Sequence, residues 1–119
     1  MIMHGAYRNT ELPEILARLD AVVVPSLWYE NAPLTIQEAL HAGVPVITSN
    51  CGGMAEMIRH EINGLTFEIG RSDALRAALR RLHEEPDLLS RLAAGIQPVP
   101  SIAEQSVEVR RIYEELCAA

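Results

Sequence analysis

Apolar residues along this chain fall into two kinds of run that take turns. Ala21 to Pro25 (AVVVP) and Val44 to Thr48 (VPVIT) are continuous and rich in β-branched residues, the pattern of strands buried on both faces of a parallel sheet. Leu65-Thr66-Phe67 is a shorter strand that follows Asn63-Gly64, a tight-turn signal. Met1 to Gly5 (MIMHG), apolar and closed by glycine, is compatible with one more buried strand at the chain start.

Helical spacing fills the intervals. Thr10 is the expected N-cap of a helix carrying Leu12, Ile15, Leu16 and Leu19, with Pro13 tolerated in its first turn. Pro33, at the first helical position, opens a helix whose apolar face is Leu34, Ile36, Ala39 and Leu40, and Gly43 ends it. Met54 to His60 is a short helix with Met57 and Ile58 inward. From Ser72 the chain turns helical: a Leu75, Leu79, Leu82 stripe broken at Pro86, then Leu88, Leu89 and Leu92. Gly95 to Pro100 is an irregular connector, and a last helix aligns Val109, Ile112, Tyr113 and Leu116.

Strands alternating with helices predict an α/β fold, a three-layer parallel sheet followed by a helical C-terminal segment. About four strands are fewer than a doubly wound domain normally holds, so the chain reads as the second half of one. Such a half leaves a sheet edge and apolar surface open, which favours self-association or pairing with a missing first half.

Composition narrows the partners. Ten basic and sixteen acidic side chains give a formal charge of −6, and every basic residue is arginine. That balance argues against nucleic acid, which needs a basic face. Cys51 and Cys117 stand far apart and belong to no metal-binding or disulfide pattern. No stretch reaches the ~18 apolar residues of a membrane span, and the start lacks the charged and apolar regions of a signal peptide. The expected location is the cytoplasm, with peripheral attachment to the inner face of a membrane left open.

The chemistry concentrates between Pro25 and Gly53. In open parallel sheets ligands bind beyond the carboxyl ends of the strands, and three such ends carry suggestive loops: Gly5-Ala6-Tyr7, Pro25 to Asn31, and Ser49 to Gly53. A helix starting near Pro33 leaves the N–H groups of Leu34 and Thr35 free to hold a phosphate oxygen. Gly52 and Gly53 allow close approach of the backbone to a ligand. Glu30 and Glu38, eight positions apart, flank that helix start. Carboxylates beside an anion site make sense if they accept bonds from neighbouring hydroxyls, so the corner suits a sugar-bearing nucleotide. Plainer readings apply around it. Trp28 and Tyr29 are packing residues at the loop base, His4 is structural, and Ser26 is a turn or cap residue. His41, His60 and His83 are surface residues without a paired acid. Glu56 supports the next helix's first turn through its dipole.

Glu30 and Glu38 form E-x7-E within a longer ordered set: Pro25-Ser26, Glu38-Ala39, Ala42-Gly43, Pro45-Val46-Ile47, Gly52-Gly53, Glu56 and Asn63-Gly64-Leu65. This set resembles the donor-binding domain of the family 4 (group 1) retaining glycosyltransferases of the GT-B fold, across residues 4 to 117. The resemblance implies a Rossmann-like half-domain spanning residues 1–119, with the acceptor domain and the first half of the donor domain upstream. It makes Glu30 the catalytic-site acid on the transferred sugar and Glu38 the ligand of the ribose hydroxyls. Ala32, Leu34 and Thr35 would cradle sugar and diphosphate through backbone amides, and Tyr7 would border the base. The implied donor is a UDP- or GDP-linked sugar, with no metal or other cofactor and with an unspecified glycan or lipid acceptor.

Asn31-Ala32-Pro33 replaces the family's usual Gly-Phe-Gly, which leaves the donor sugar open. The family's basic pair lies upstream of the matched region, so the chain alone is expected to be inactive. Two alternatives accompany the transferase reading. One is a non-catalytic fragment or split subunit that binds nucleotide or another protein; the other, weaker, is a nucleotide-sugar epimerase.

Overall fold

A computed structural model describes residues 1–118. A single 3-10 turn, Asn9–Glu11, leads into α1 (Leu12–Leu16), and then β1 (Val22–Val24), α2 (Leu34–His41), β2 (Val46–Ser49), α3 (Gly52–Met57) and β3 (Gly64–Phe67) alternate. Three helices follow: α4 (Ser72–Glu84), α5 (Leu88–Ala94) and α6 (Ile102–Ala118). The strands run parallel in the order β1-β2-β3, with Val23 opposite Ile47 and Ile47 opposite Leu65.

β2 is the axis of the core, and all four of its residues are buried. Because side chains alternate across a strand, Val46 joins Ile36, Ala39, Leu40, Met54 and Ile58 on one face. Ile47 joins Leu65, Phe67, Ala78, Leu88 and Leu92 on the other. Helices α1, α2 and α3 thus cover one side and α4 and α5 the other, the three layers expected. The buried Thr48 hydroxyl donates to the Val24 carbonyl at 2.9 Å. Ser49 Oγ, equally buried, has no partner, a local cost that the fold tolerates.

Several expectations need correction. Met1 to Gly5 forms no strand; it finds no neighbouring backbone to pair with, and Met1, Ile2 and Met3 stay exposed. β1 is therefore an edge strand and is not buried on both faces: Val23 is 40% exposed because α4 and α5 lie over β2 and β3. Thr10 is not a cap: it lies within the 3-10 turn, which is capped at Arg8, where Glu11 Oε2 accepts the Arg8 N–H at 2.6 Å, and Glu11 is the N-cap of α1. Leu19 lies beyond the helix end and is exposed. On α4, Leu75 and Leu82 pack on the core as expected beside the buried Ala78, while Leu79 faces out. The short third helix begins earlier than expected, with Gly52 and Gly53 in its first turn.

The Asn63-Gly64 turn works differently from its dipeptide signal. The left-handed residue is Glu61 (φ 67°), and Gly64 already belongs to β3. Asn63 closes the turn through its side chain, which accepts Arg59 N–H at 2.7 Å and donates to the Met57 carbonyl at 3.1 Å. Gly64 is needed because a Cβ there would stand 2.1 Å from the Val46 carbonyl oxygen. His60, expected to lack an acid partner, faces Glu61 at 3.4 Å, and its Nδ1 accepts Thr66 N–H at 2.9 Å on the outer edge of β3.

The last helix departs most. Ser101 and Glu104 form a reciprocal cap: Glu104 Oε2 accepts Ser101 N–H at 2.7 Å and Ser101 Oγ accepts Glu104 N–H at 3.2 Å. That local device starts α6, yet none of its residues is buried. Val109, Ile112, Tyr113 and Leu116 share a face, as expected, but the face packs on nothing among the described residues. The molecule is correspondingly long, 56 × 29 × 28 Å.

Arg81 joins α4 to the turn before β3, bonding Glu61 and also Glu85 at 2.6 Å. Its guanidinium holds the Glu61 and Glu85 carboxyls below their usual range. At the start of α4, Arg71 pulls Asp73 down to about 2. These depressed values stabilise the fold above the ordinary carboxylate range, and that contribution disappears as pH falls through the lowered values. The thermal midpoint should therefore drop as pH is lowered from 5 toward 2, and Glu61→Gln should flatten that acid limb; equal slopes for both proteins in a pH series of melting curves would contradict it.

Candidate functional site

The carboxyl ends of β1 and β2 carry two loops that lie against each other. Gly53 N–H donates to the Glu30 carbonyl at 2.7 Å. A Cβ on Gly53 would sit 1.5 Å from the Asn31 carbonyl oxygen, and one on Gly52 2.7 Å from that of Glu30. Gly52 also adopts φ +51°. The glycines are thus required for loop-on-loop contact within the chain itself. Cys51, the N-cap of α3, is buried, and its thiol reaches the Trp28 carbonyl at 3.6 Å.

Between these loops opens a shallow cleft of about 310 Å³, lined by Tyr29, Glu30, Asn31, Gly52, Gly53 and Glu56. Glu30 is half-buried there, with Oε1 accepting the Trp28 indole N–H at 2.6 Å. Trp28 and Tyr29 are not packed at the loop base as expected; they are 64% and 82% exposed. The loop backbone is already held by Cys51 and Gly53, so their rings are left at the surface. Glu56 sits near the end of α3 and lines the cleft, which displaces its expected part in a helix's first turn.

Pro33 caps α2 from just outside the helix (ψ 121°), one position earlier than expected. Its carbonyl accepts both the Ile36 N–H at 3.0 Å and the Gln37 N–H at 3.2 Å. The Leu34 and Thr35 N–H groups come before the first intrahelical bond, as predicted. Leu34 does not belong to the apolar face; it is 69% exposed. At the other end, Gly43 (φ +75°) closes the helix: Gly43 N–H bonds Leu40 O at 3.0 Å and Val44 N–H bonds Ala39 O at 2.8 Å.

Glu30 and Glu38 open onto different concavities. Leu34 and Glu38, four residues apart, share a helix flank that faces α1 across a groove of about 820 Å³. Leu12, Leu16 and His41 line this groove too, and Val99 to Ala103 close its far side. The chain passes from the cleft at Asn31 to the groove at Leu34, and Ala32 and Thr35 beside them are exposed and line neither. Tyr7 lies on the segment before α1, exposed and lining neither. His4 is exposed on the same unpaired segment. Tyr29, Asn31 and Glu56 are cleft residues that sequence reasoning did not select. Glu56 had a signal, its place one turn after Gly53 in G-G-x-x-E. Among the described residues no three His, Cys, Asp or Glu side chains cluster closely enough to hold a metal ion.

A parallel sheet with helices on both faces and a glycine-backed helix start at its carboxyl edge is the Rossmann-like half-domain of the GT-B fold. The profile of the family "Glycosyl transferases group 1" matches residues 1–97. The chain belongs to that family. It is 30% identical over 118 residues to the amylovoran biosynthesis glycosyltransferase AmsK of Erwinia amylovora, an alignment covering 94% of this chain and 29% of that protein. It is 38% identical over 79 residues to the Escherichia coli UDP-Gal:alpha-D-GlcNAc-diphosphoundecaprenol alpha-1,3-galactosyltransferase, covering 66% and 20%. Anabaena Alr3699/HepE in complex with UDP superimposes with a TM-score of 0.77 at 26% identity, over 93% of this chain and 31% of that one. The chain therefore spans under a third of the length of these relatives.

The close loop contact makes a sharp stability test. Gly53→Ala should destabilise the chain by about 2–3 kcal/mol, since overpacking against backbone has no side chain to yield. Gly70→Ala, where φ is +75° but a Cβ meets nothing, should cost about 1 kcal/mol. Urea unfolding of the two variants checks the order; equal midpoints would contradict it.

Proposed function

We propose that this chain is the donor-binding half-domain of a retaining glycosyltransferase that uses a UDP-linked hexose. The observation that carries the reading is that Glu30 lines one concavity beside Asn31 and Glu38 another beside Leu34, with the Leu34 and Thr35 N–H groups preceding the first intrahelical bond of α2. Glu38 lies one turn into the helix, about 6 Å along its axis from Leu34. A nucleotide sugar laid across the helix start puts ribose hydroxyls at Glu38, the diphosphate at the helix N-terminus, and the hexose at Glu30. Each carboxylate accepts hydroxyl protons, and the backbone amides and dipole take the phosphate. Uridine is preferred over guanosine because HepE is bound to UDP and, in another structure, to UDP-glucose, and because the E. coli relative is named for UDP-Gal.

In the transfer itself an acceptor hydroxyl attacks the anomeric carbon as the diphosphate leaves. Neither concavity is lined by an arginine among the described residues. Cationic help for the departing diphosphate, where much of the rate arises, therefore comes from outside these two concavities.

A second reading, a module that docks on a complementary half or a second copy, is favoured by the open apolar face of α6 and the partly exposed edge strand β1. Sedimentation velocity distinguishes the two: a monomer across the micromolar range weighs against self-docking, and a dimer supports it.

Calorimetry tests the donor site. UDP-glucose and UDP should both bind; Glu38→Ala should weaken both by about tenfold, and Glu30→Ala should weaken UDP-glucose alone, on the scale of hydrogen bonds to charged groups. No heat from either ligand at millimolar concentration would sink the proposal.

A further inference from the structure

We propose that Trp28 is a positioning residue for Glu30, its indole N–H holding one carboxylate oxygen so that the other faces a sugar hydroxyl. This rests on the donor-site reading above and extends it to a residue outside both concavities' linings.

The geometry has three links. The Trp28 carbonyl receives the Cys51 thiol at 3.6 Å, and the Glu30 carbonyl receives Gly53 N–H at 2.7 Å. Both ends of the Trp28-Tyr29-Glu30 segment are thereby fixed by their main chain to the glycine loop. The third link is the side-chain bond itself, Trp28 Nε1 to Glu30 Oε1 at 2.6 Å. A glutamate side chain otherwise carries rotamer entropy of about 1.5–2 kcal/mol that a ligand must overcome. The indole removes part of that freedom in advance, and Oε2 has no partner among the described residues.

Burial does not explain the tryptophan, which is 64% exposed. Its chemistry does. Indole N–H is a donor only, so it cannot compete with the carboxylate for a hydroxyl proton. It is neutral, so it leaves the carboxylate's charge in place. An arginine there would engage both oxygens at once and offer a second anion site beside the helix start. An N–H to carboxylate bond is also of the charge-assisted, stronger kind.

Trp28 is the single tryptophan of the chain, so the indole contributes one N–H resonance to a ¹⁵N-resolved spectrum. Glu30→Ala should shift that resonance and Glu38→Ala should leave it in place; an indole unmoved by Glu30→Ala overturns the contact without any ligand being added. Trp28→Phe keeps a ring and removes the donor. By calorimetry it should weaken UDP-glucose about three- to tenfold and leave UDP unchanged, the unchanged UDP affinity also showing an intact fold. In a Glu30→Ala background it should have no further effect. Equal weakening of both ligands, no weakening of either, or effects that add to those of Glu30→Ala overturn the positioning role. Failure of the wild-type chain to bind either ligand, with the indole still answering to Glu30→Ala, removes the donor-site reading and this role with it.

Discussion

Gly53 N–H reaches the Glu30 carbonyl at 2.7 Å, and a side chain at Gly53 would overlap the Asn31 carbonyl. The loop after β1 and the loop after β2 therefore share one thin seam of backbone, and the cleft exists because that seam is thin. Without it the Glu30 segment would keep only the Cys51 contact at the Trp28 carbonyl and the exposed Trp28 and Tyr29. An exposed aromatic ring cannot anchor a loop against water. A hydrogen bond and two missing Cβ atoms can.

That seam needs β1 and β2 at fixed register, and here the core enters. Val24 stands opposite Thr48, whose hydroxyl donates to the Val24 carbonyl. The bond ties the last residue of β1 to its neighbour just before the two loops diverge. β2 is clamped from both sides, by α2 and α3 on one face and α4 and α5 on the other. The two sheet edges are treated differently. On β3 the Thr66 N–H is occupied by His60, which blunts the edge, whereas the outer side of β1 has no strand beside it.

What was legible in the sequence was what short stretches of chain decide. Strand β2 was visible in V-P-V-I-T, and the end of α2 in the glycine at 43. The ordered set around E-x7-E was legible as a family pattern, and the family match covers it. What was not legible depended on distant contacts. The strand expected at Met1 to Gly5 fails for want of a partner, and the apolar stripe of α6 folds with none. No local pattern says that Leu34 and Leu79 point outward while Ala78 points in. Gly52 and Gly53 were legible as special, but not the contact that requires them, with Asn31 and Glu30 of the chain itself. The indole of Trp28 was likewise read as packing, because sequence carries no record of which donor a carboxylate meets.

The corner poses an electrostatic question. A chain of net charge −6, proposed to hold a diphosphate, presents Glu30 and Glu56 in one concavity and Glu38 in the other, with no arginine lining either. Two unit charges 4 Å apart repel by about 1 kcal/mol in water and about 4 kcal/mol near a protein surface, so a carboxylate in contact with phosphate would be self-defeating. The proposed donor pose separates them along the ligand instead. In that pose the helix start, where backbone amides supply positive potential, takes the diphosphate, and the acids meet the neutral hydroxyls of a nucleotide sugar. On that arrangement the acids select for sugars at both ends and reject a bare polyphosphate, whose next anionic group would fall against Glu30. On the proposed reading, the negative charge of the site is then a filter on what may follow the second phosphate.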